Sequence, residues 1–181
     1  MATIRYTVPG LGNSDAGQIV GMLQNRLHAL NDLQLTLKHA HWNVIGPHFI
    51  AVHEMLDPQV DSVRGFVDDV AERIATLGGS PDGTPGSLVR ERTWDDYSIG
   101  RDDAIAHLGA LDLVYSGVIA DHRTQIEKLE TLDPVTQDML ISQAGELEQF
   151  QWFLRAHLEN SDGSLASQSS GTEKDAARAA R

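Results

Sequence analysis

The sequence predicts an all-α protein whose core is a four-helix bundle, and three observations carry that prediction. Four long stretches repeat apolar residues at helical spacing. No stretch alternates with the two-residue period of a strand. The connection between the second and third stretches is long, as a bundle with one crossover requires. At 181 residues and 41% apolar content the chain can close one real core, and it carries no internal repeat.

Each element has its own justification. Residues 1–13 contain Pro9-Gly10 and Gly12 and read as an extended N-terminal arm. From the capping signal Ser14-Asp15 the first helix places Ile19, Met22, Leu23, Leu27, Leu30, Leu33 and Leu37 on one face. It continues through Trp42 and Val44 and stops before Gly46-Pro47, because the residue preceding a proline is pushed out of helical geometry. A second helix covers about 49–77, with Ile50, Val52, Met55, Leu56, Val60, Val63, Val67, Val70, Ile74 and Leu77. Pro58 inside it either kinks the helix or marks its true start with Asp57 as N-cap; the apolar pattern on both sides favours a kink. Gly78 to Gly86 is a breaker, followed by a short helix over 87–91 within the long connection. A third helix is predicted over about 99–131, and a fourth from the Asp133-Pro134 signal to about Glu159. The bundle therefore spans 14–159. Residues 160–181, rich in Ser, Gly, Ala and Gln, read as a flexible tail without core residues.

Composition excludes several functions. The chain has no cysteine, which removes disulfides, thiolate metal sites and cysteine nucleophiles. No apolar run approaches the ~20 residues of a membrane span, and the N-terminus lacks a signal-peptide core, so a cytoplasmic protein without membrane contact is expected. The formal charge is −12, from 14 basic and 26 acidic residues. Residues 161–181 hold three of each sign, so the whole excess lies on the body, which attracts cations and repels nucleic acid.

Metal-ligand residue types are arranged symmetrically in the second helix. His53 and Glu72 are equidistant from position 62.5, and so are Asp57 and Asp68. On one helix Asp57 and Asp68 stand ~16 Å apart, and His53 and Glu72 ~28 Å apart, too far for one chain to bring to a common metal. Two copies crossing antiparallel near residues 62 and 63 bring His53 to the partner's Glu72 and Asp57 to the partner's Asp68. That arrangement makes two equivalent sites shared between two subunits. His41 ends the first helix, and the turn at Gly46-Pro47 carries it towards His53. Two imidazoles with carboxylates form a mixed nitrogen and oxygen set, suited to iron, manganese or zinc. No Glu-x-x-His occurs anywhere, so the in-bundle site of di-iron carboxylate proteins is missing and the metal site lies outside the bundle core.

The run Lys38-His39-Ala40-His41-Trp42-Asn43-Val44-Ile45-Gly46-Pro47-His48-Phe49-Ile50-Ala51-Val52-His53-Glu54-Met55-Leu56-Asp57, followed by Asp68 and Ala71-Glu72-Arg73, resembles the signature of the Dps family, the DNA-binding proteins from starved cells. The likeness covers about residues 14–159. It implies a ferritin-like bundle assembling into a hollow shell of twelve subunits, with ferroxidase sites at two-fold interfaces. His41, His53 and Asp57 would come from one subunit, and Asp68 and Glu72 from its neighbour. The family oxidises iron(II), preferably with hydrogen peroxide, at two iron positions per site, and stores an iron(III) oxide core. Trp42 matches the tryptophan beside the family site that quenches stray radicals; a packed aromatic at the helix end is the structural alternative. Lys38 matches a position near the site, pairing with a carboxylate or simply solvated.

The resemblance also assigns Asp133, Asp138 and Glu148 to three-fold pores that draw iron inward; acids at a helix N-terminus also complement its dipole without any pore. Lys174, Arg178 and Arg181 are the tail residues expected to touch DNA. Their net charge with Asp175 is only +2, so binding would rest on many tails acting together and weaken sharply with salt. Two other functions remain on the sequence alone: a metal-dependent hydrolase using the same site, and a mainly structural DNA-compacting shell.

Overall fold

Leucines at successive turns of the first helix determine where the bundle closes. In the computed structural model, which describes residues 4–181, α1 (Asn13–Asn43) buries Ile19, Leu23, Leu27, Leu30, Leu33 and Leu37 completely. After the two-residue strand β1 (Val44–Ile45), α2 (Phe49–Thr76) returns and packs along α1 through Val52, Leu56, Val60, Val63, Val70 and Ile74. The long connection carries α3 (Pro85–Glu91) and the strand β2 (Asp102–Asp103). Then α4 (Ala104–Leu129) and α5 (Pro134–Arg155) form the second antiparallel pair, contributing Leu108, Leu111, Tyr115, Leu140, Leu147 and Leu154 to the same core. Each fully buried leucine contributes roughly 1.5–3 kcal/mol, which outweighs the weak intrinsic preferences of the polar residues between them.

Helix α2 runs continuously through Pro58, so Asp57 does not cap a new helix. Proline removes one helical hydrogen bond and crowds the carbonyl four residues earlier. Here Glu54 and Pro58 are both exposed, so the freed carbonyl lies on the solvent side of the helix and not in the core. Helix α2 ends where Gly78 adopts φ +83, with the Gly78 N–H donating to Ala75 and the Gly79 N–H to Ile74. A Cβ at Gly78 would fall 2.0 Å from the Tyr6 carbonyl oxygen, so this glycine also admits the N-terminal arm, whose Ile4 is buried.

Several sequence expectations need correction. Helix α1 begins at Asn13 with Gly12 at the N-cap and no side-chain cap, so Ser14-Asp15 lies inside it. Helix α4 starts at Ala104, capped by the Asp103 carboxylate, rather than near 99. Helix α5 ends at Arg155, not 159. Ile99 and Leu158 are buried from non-helical backbone, which is why apolar spacing overran both ends. A parallel bridge pairs Val44 with Asp102 and Ile45 with Asp103 where no strand was expected.

The C-terminal segment departs most from its predicted flexibility. Residues Glu173–Ala179 form α6, capped by Thr172 and packed on α4, with Ala176 and Ala177 buried. Helix α6 fits because α4 presents Gly109: a Cβ there would sit 2.7 Å from Ala180 Cβ and 2.8 Å from the Ala176 carbonyl oxygen. Arg181 then pairs with Asp102 and, at 2.9 Å, with Asp103. Among the described residues α4 alone is long and apolar enough to cross a membrane, but its apolar surface is used in the bundle and under α6.

Candidate metal centre

The turn between α1 and α2 brings His41 and His53 together. Their rings stack with centroids 3.6 Å apart and planes at 21°. Each ring is tied to the other residue's backbone: His41 Nδ1 donates to the His53 carbonyl at 2.8 Å, and His53 Nδ1 to the His41 carbonyl at 2.9 Å. A carbonyl can only accept, so both Nδ1 atoms carry the proton and both Nε2 atoms keep a lone pair. A tethered Nδ1–H with a free Nε2 is how proteins orient an imidazole for a metal.

Asp57, one turn beyond His53, lies 3.3 Å from His41 Nδ1 and accepts a 2.8 Å hydrogen bond from Lys38 Nζ. Lys38 therefore pairs with a carboxylate. That hydrogen bond holds the Asp57 carboxyl below its ordinary range, against a smaller effect of burial. The Lys38 ammonium also stands 5.8 Å from the Trp42 ring centroid. Trp42 is 70% exposed, so the packed-aromatic alternative does not hold within this chain.

Asp68 and Glu72 are exposed further along α2, with no side-chain hydrogen bond or ion pair among the described residues. His53, Asp57, Asp61, Arg64, Gly65, Asp68 and Glu72 form one stripe down α2, opposite the face that carries Leu56, Val60, Val63 and Val70. Gly65 lies near the middle of that stripe, with nothing within 4 Å of where its Cβ would stand. Among the described residues no three histidine or acidic side chains of this one chain converge as a metal cluster. His41, His53 and Asp57 are neighbours, with Asp57 held on the Nδ1 side by Lys38, while Asp68 and Glu72 stand remote from them.

The three acids assigned to pores differ in surroundings. Asp133 is buried: it caps α5, accepting from the Val135 and Thr136 N–H groups and the Thr136 hydroxyl, and pairs with Arg73 at 2.6 Å. Burial pushes its carboxyl up, but the hydrogen bonds from Thr136 and Arg73 outweigh that and hold it below the usual range. A carboxylate committed to these donors does not line an open pore, which corrects the expectation for Asp133. Asp138 is exposed on the first turns of α5, and half-buried Glu148 pairs with Arg123 at 2.6 Å. Of the tail cations, Lys174 is exposed, Arg178 pairs with Asp175 at 3.1 Å, and Arg181 is held at β2.

One cluster behind this turn has no mark in the sequence. Tyr97 and His107 share a 3.0 Å hydrogen bond, and the His39 ring meets Tyr97 edge-on at 5.8 Å. Sixty-eight residues separate His39 from His107, and no spacing signal links them.

A bundle of this order, with its histidines at the α1–α2 turn and none of the in-bundle ligands, defines a class. Residues 20–163 match the ferritin-like domain family. The DNA protection during starvation protein of Mycolicibacterium smegmatis is 62% identical over 97% of this chain and 96% of its own length. The solved structure of Mycobacterium smegmatis Dps superposes with a TM-score of 0.92 at 61% identity, covering 96% of this chain and 98% of that one. DpsA14 from Streptomyces coelicolor gives 0.89 at 66% identity, over 91% and 98% of the two chains. The chain belongs to the Dps family of ferritin-like proteins.

Proposed function

We propose that this protein is a peroxide-dependent ferroxidase and iron store, with two equivalent sites at each two-fold contact between subunits of a dodecameric shell. One observation carries the reading: His41 and His53 are locked by reciprocal Nδ1 bonds that leave both Nε2 atoms free, beside Asp57 and on the same stripe as Asp68 and Glu72. Antiparallel crossing of two α2 helices near residues 62 and 63 juxtaposes the two ends of that stripe. Exposed Leu35, Ile50 and Val89 supply apolar surface for burial between subunits.

Iron(II) is the substrate. His41, His53 and Asp57 bind from one subunit, with Asp68 and Glu72 from its neighbour. Iron entering the site displaces the Lys38 ammonium from Asp57, one cation exchanging for another. Two iron(II) ions each give one electron to hydrogen peroxide and, with two protons, yield two iron(III) and two water molecules. Pairing the electrons avoids release of hydroxyl radical, and the carboxylates neutralise the growing positive charge. Exposed Trp42, next to His41 in the chain, is a sacrificial aromatic beside the site. Iron passes inward through pores lined by Asp138 and Glu148, and iron(III) oxide accumulates in the cavity. The body's charge of −12 favours cation uptake, so DNA is protected chiefly by removing iron and peroxide in the cytoplasm.

Anaerobic loading of the assembled protein with iron(II), followed by a peroxide pulse, tests this. Peroxide and iron should disappear in a ratio of one to two, and Asp68→Ala with Glu72→Ala should abolish the fast phase. An assembly that leaves peroxide unconsumed, or a double variant with parent rates, overturns the reading.

A further inference from the structure

The chain has three tyrosines, and only one has its phenol on a base. Tyr6 is exposed, and Tyr115 is fully buried and donates to the Gln59 side-chain oxygen at 2.8 Å. Tyr97, in the loop before α4, shares its 3.0 Å hydrogen bond with Nδ1 of His107. His107 is completely buried, and its Nε2 has no full hydrogen-bond partner. The backbone carbonyls of Asn43 and Gly100 lie close enough to the imidazole to raise its basicity. They favour the tautomer with the proton on Nε2, which leaves the Nδ1 lone pair to accept from the Tyr97 hydroxyl. Burial lowers the basicity of His107, while Asp102 and those two carbonyls raise it. Burial outweighs them, so His107 rests neutral with a lone pair for the phenol, and a proton arriving on Nδ1 is held only while the phenol lacks it.

The pair lies directly behind the metal centre. Asn43 follows Trp42 and is two residues from His41. The His39 ring, in contact with Tyr97, is two residues before His41 and leaves α1 on the opposite side from the His41 ring, so the helix end separates Tyr97 from the metal centre. Trp42, by contrast, is solvent-exposed with no base on its indole among the described residues. An electron hole on Trp42 has nowhere to send a proton except water, whereas Tyr97 has a fixed acceptor.

Resting on the ferroxidase reading above, we infer that Tyr97 and His107 form an electron reservoir that lends the site one electron when only one iron(II) is bound. A single iron(II) splits hydrogen peroxide into hydroxide and hydroxyl radical and becomes iron(III). The radical takes one electron from Tyr97 and becomes hydroxide, while the phenol proton moves to Nδ1 of His107. The next iron(II) returns the electron to the tyrosyl radical and the proton goes back to the phenolic oxygen. The sum is two iron(II) and one peroxide giving two iron(III) and two hydroxide, with no radical released. The reservoir lets iron arrive one ion at a time without damage.

The test uses the full-length assembly, loaded anaerobically with one iron(II) per site, pulsed with peroxide and freeze-quenched for electron paramagnetic resonance. The parent should give a tyrosyl signal that narrows when ring-deuterated tyrosine is incorporated and disappears on adding a second iron(II). Tyr97→Phe should lose that signal and release several-fold more spin-trapped hydroxyl radical, with iron oxidation at two iron(II) per site unchanged. His107→Gln keeps an acceptor but no base and should lower the tyrosyl yield ~tenfold or more. A parent that oxidises iron normally without a tyrosyl signal, or an undiminished signal in Tyr97→Phe, overturns the reservoir and leaves the ferroxidase reading standing. Failure of the parent to oxidise iron at all overturns both. If Tyr97→Phe does not assemble, the deuterium effect in the parent still decides between tyrosine and Trp42.

Discussion

Mixing two inactive variants tests whether the metal centre is shared between subunits. One variant carries His53→Ala and Asp57→Ala; the other carries Asp68→Ala and Glu72→Ala. Each forms homodimers in which both sites are broken. In a mixed dimer one site collects all four substitutions. The other receives His53 and Asp57 from the second variant and Asp68 and Glu72 from the first, all intact. Random pairing makes half of the dimers mixed and half of their sites whole, so activity should return to about one quarter of the parent value. The helix geometry is what forbids rescue within a chain. Asp57 and Asp68 are ~16 Å apart along α2, and His53 and Glu72 ~28 Å, against the ~4 Å that separates two metals acting together. The variants are unfolded together and reassembled, mixed dimers are counted by native mass spectrometry, and iron(II) oxidation by peroxide is timed per assembly. A mixture that contains mixed dimers yet remains as inactive as its parents refutes the shared site.

Three further perturbations address the scaffold. Burial, with the Arg26 cation adding to it, lowers His122 to about 4, so the unfolded chain takes up its proton first as pH falls below the ordinary ~6.5. This stability is complete above pH ~6.5 and lost on descending to about pH 4, by about 3 kcal/mol; His122→Phe should flatten that part of the profile in urea unfolding, and an unchanged slope refutes the assignment. Asp133→Ala removes the α5 cap and leaves Arg73 without its carboxylate, costing about 2 kcal/mol or more by chemical denaturation at neutral pH. Because the Asp133 carboxyl is held below its ordinary range, its contribution is present above pH ~4 and lost as pH falls through the lowered value, so parent and variant should converge in acid. Gly109→Val drives a side chain into Ala176 and Ala180, so trypsin should cleave after Lys174 and Arg178 faster than in the parent while the bundle's melting changes little; equal cleavage rates would show that α6 does not depend on this contact.

What could be read from the sequence was whatever repeats locally. Leu23, Leu27, Leu30, Leu33 and Leu37 announce α1 because one helical face must be apolar, and the bounds of α2 follow for the same reason. The symmetric spacing of His53, Asp57, Asp68 and Glu72 was legible because a helix turns sequence distance into length. Contacts set by chain tracing were not legible. Arg73 reaches Asp133 across sixty residues, so an acid that looked free for a pore is a buried cap. Tyr97 and His107 meet because a loop folds back on α4. Helix α6 was invisible for a different reason: its buried residues are Ala176 and Ala177, and small residues against a glycine give no apolar period to detect.

The docked tail also bears on how much positive charge this chain can offer a nucleic acid. Of its three cations, Arg181 is neutralised by Asp102 and Asp103, and Arg178 by Asp175, so Lys174 alone of the three makes no ion pair among the described residues. Nucleic-acid affinity scales with phosphates neutralised, and one free lysine on a subunit whose formal charge is −12 offers few. Releasing α6 would free Arg178 and Arg181 from the body, but it would also expose Ala176 and Ala177 and leave Asp102 and Asp103 unpaired beside β1, which continues from His41 and Trp42. Exchanging the tail from the body to phosphate would therefore cost the Arg181 pairs with Asp102 and Asp103 together with the buried contacts of Ala176 and Ala177.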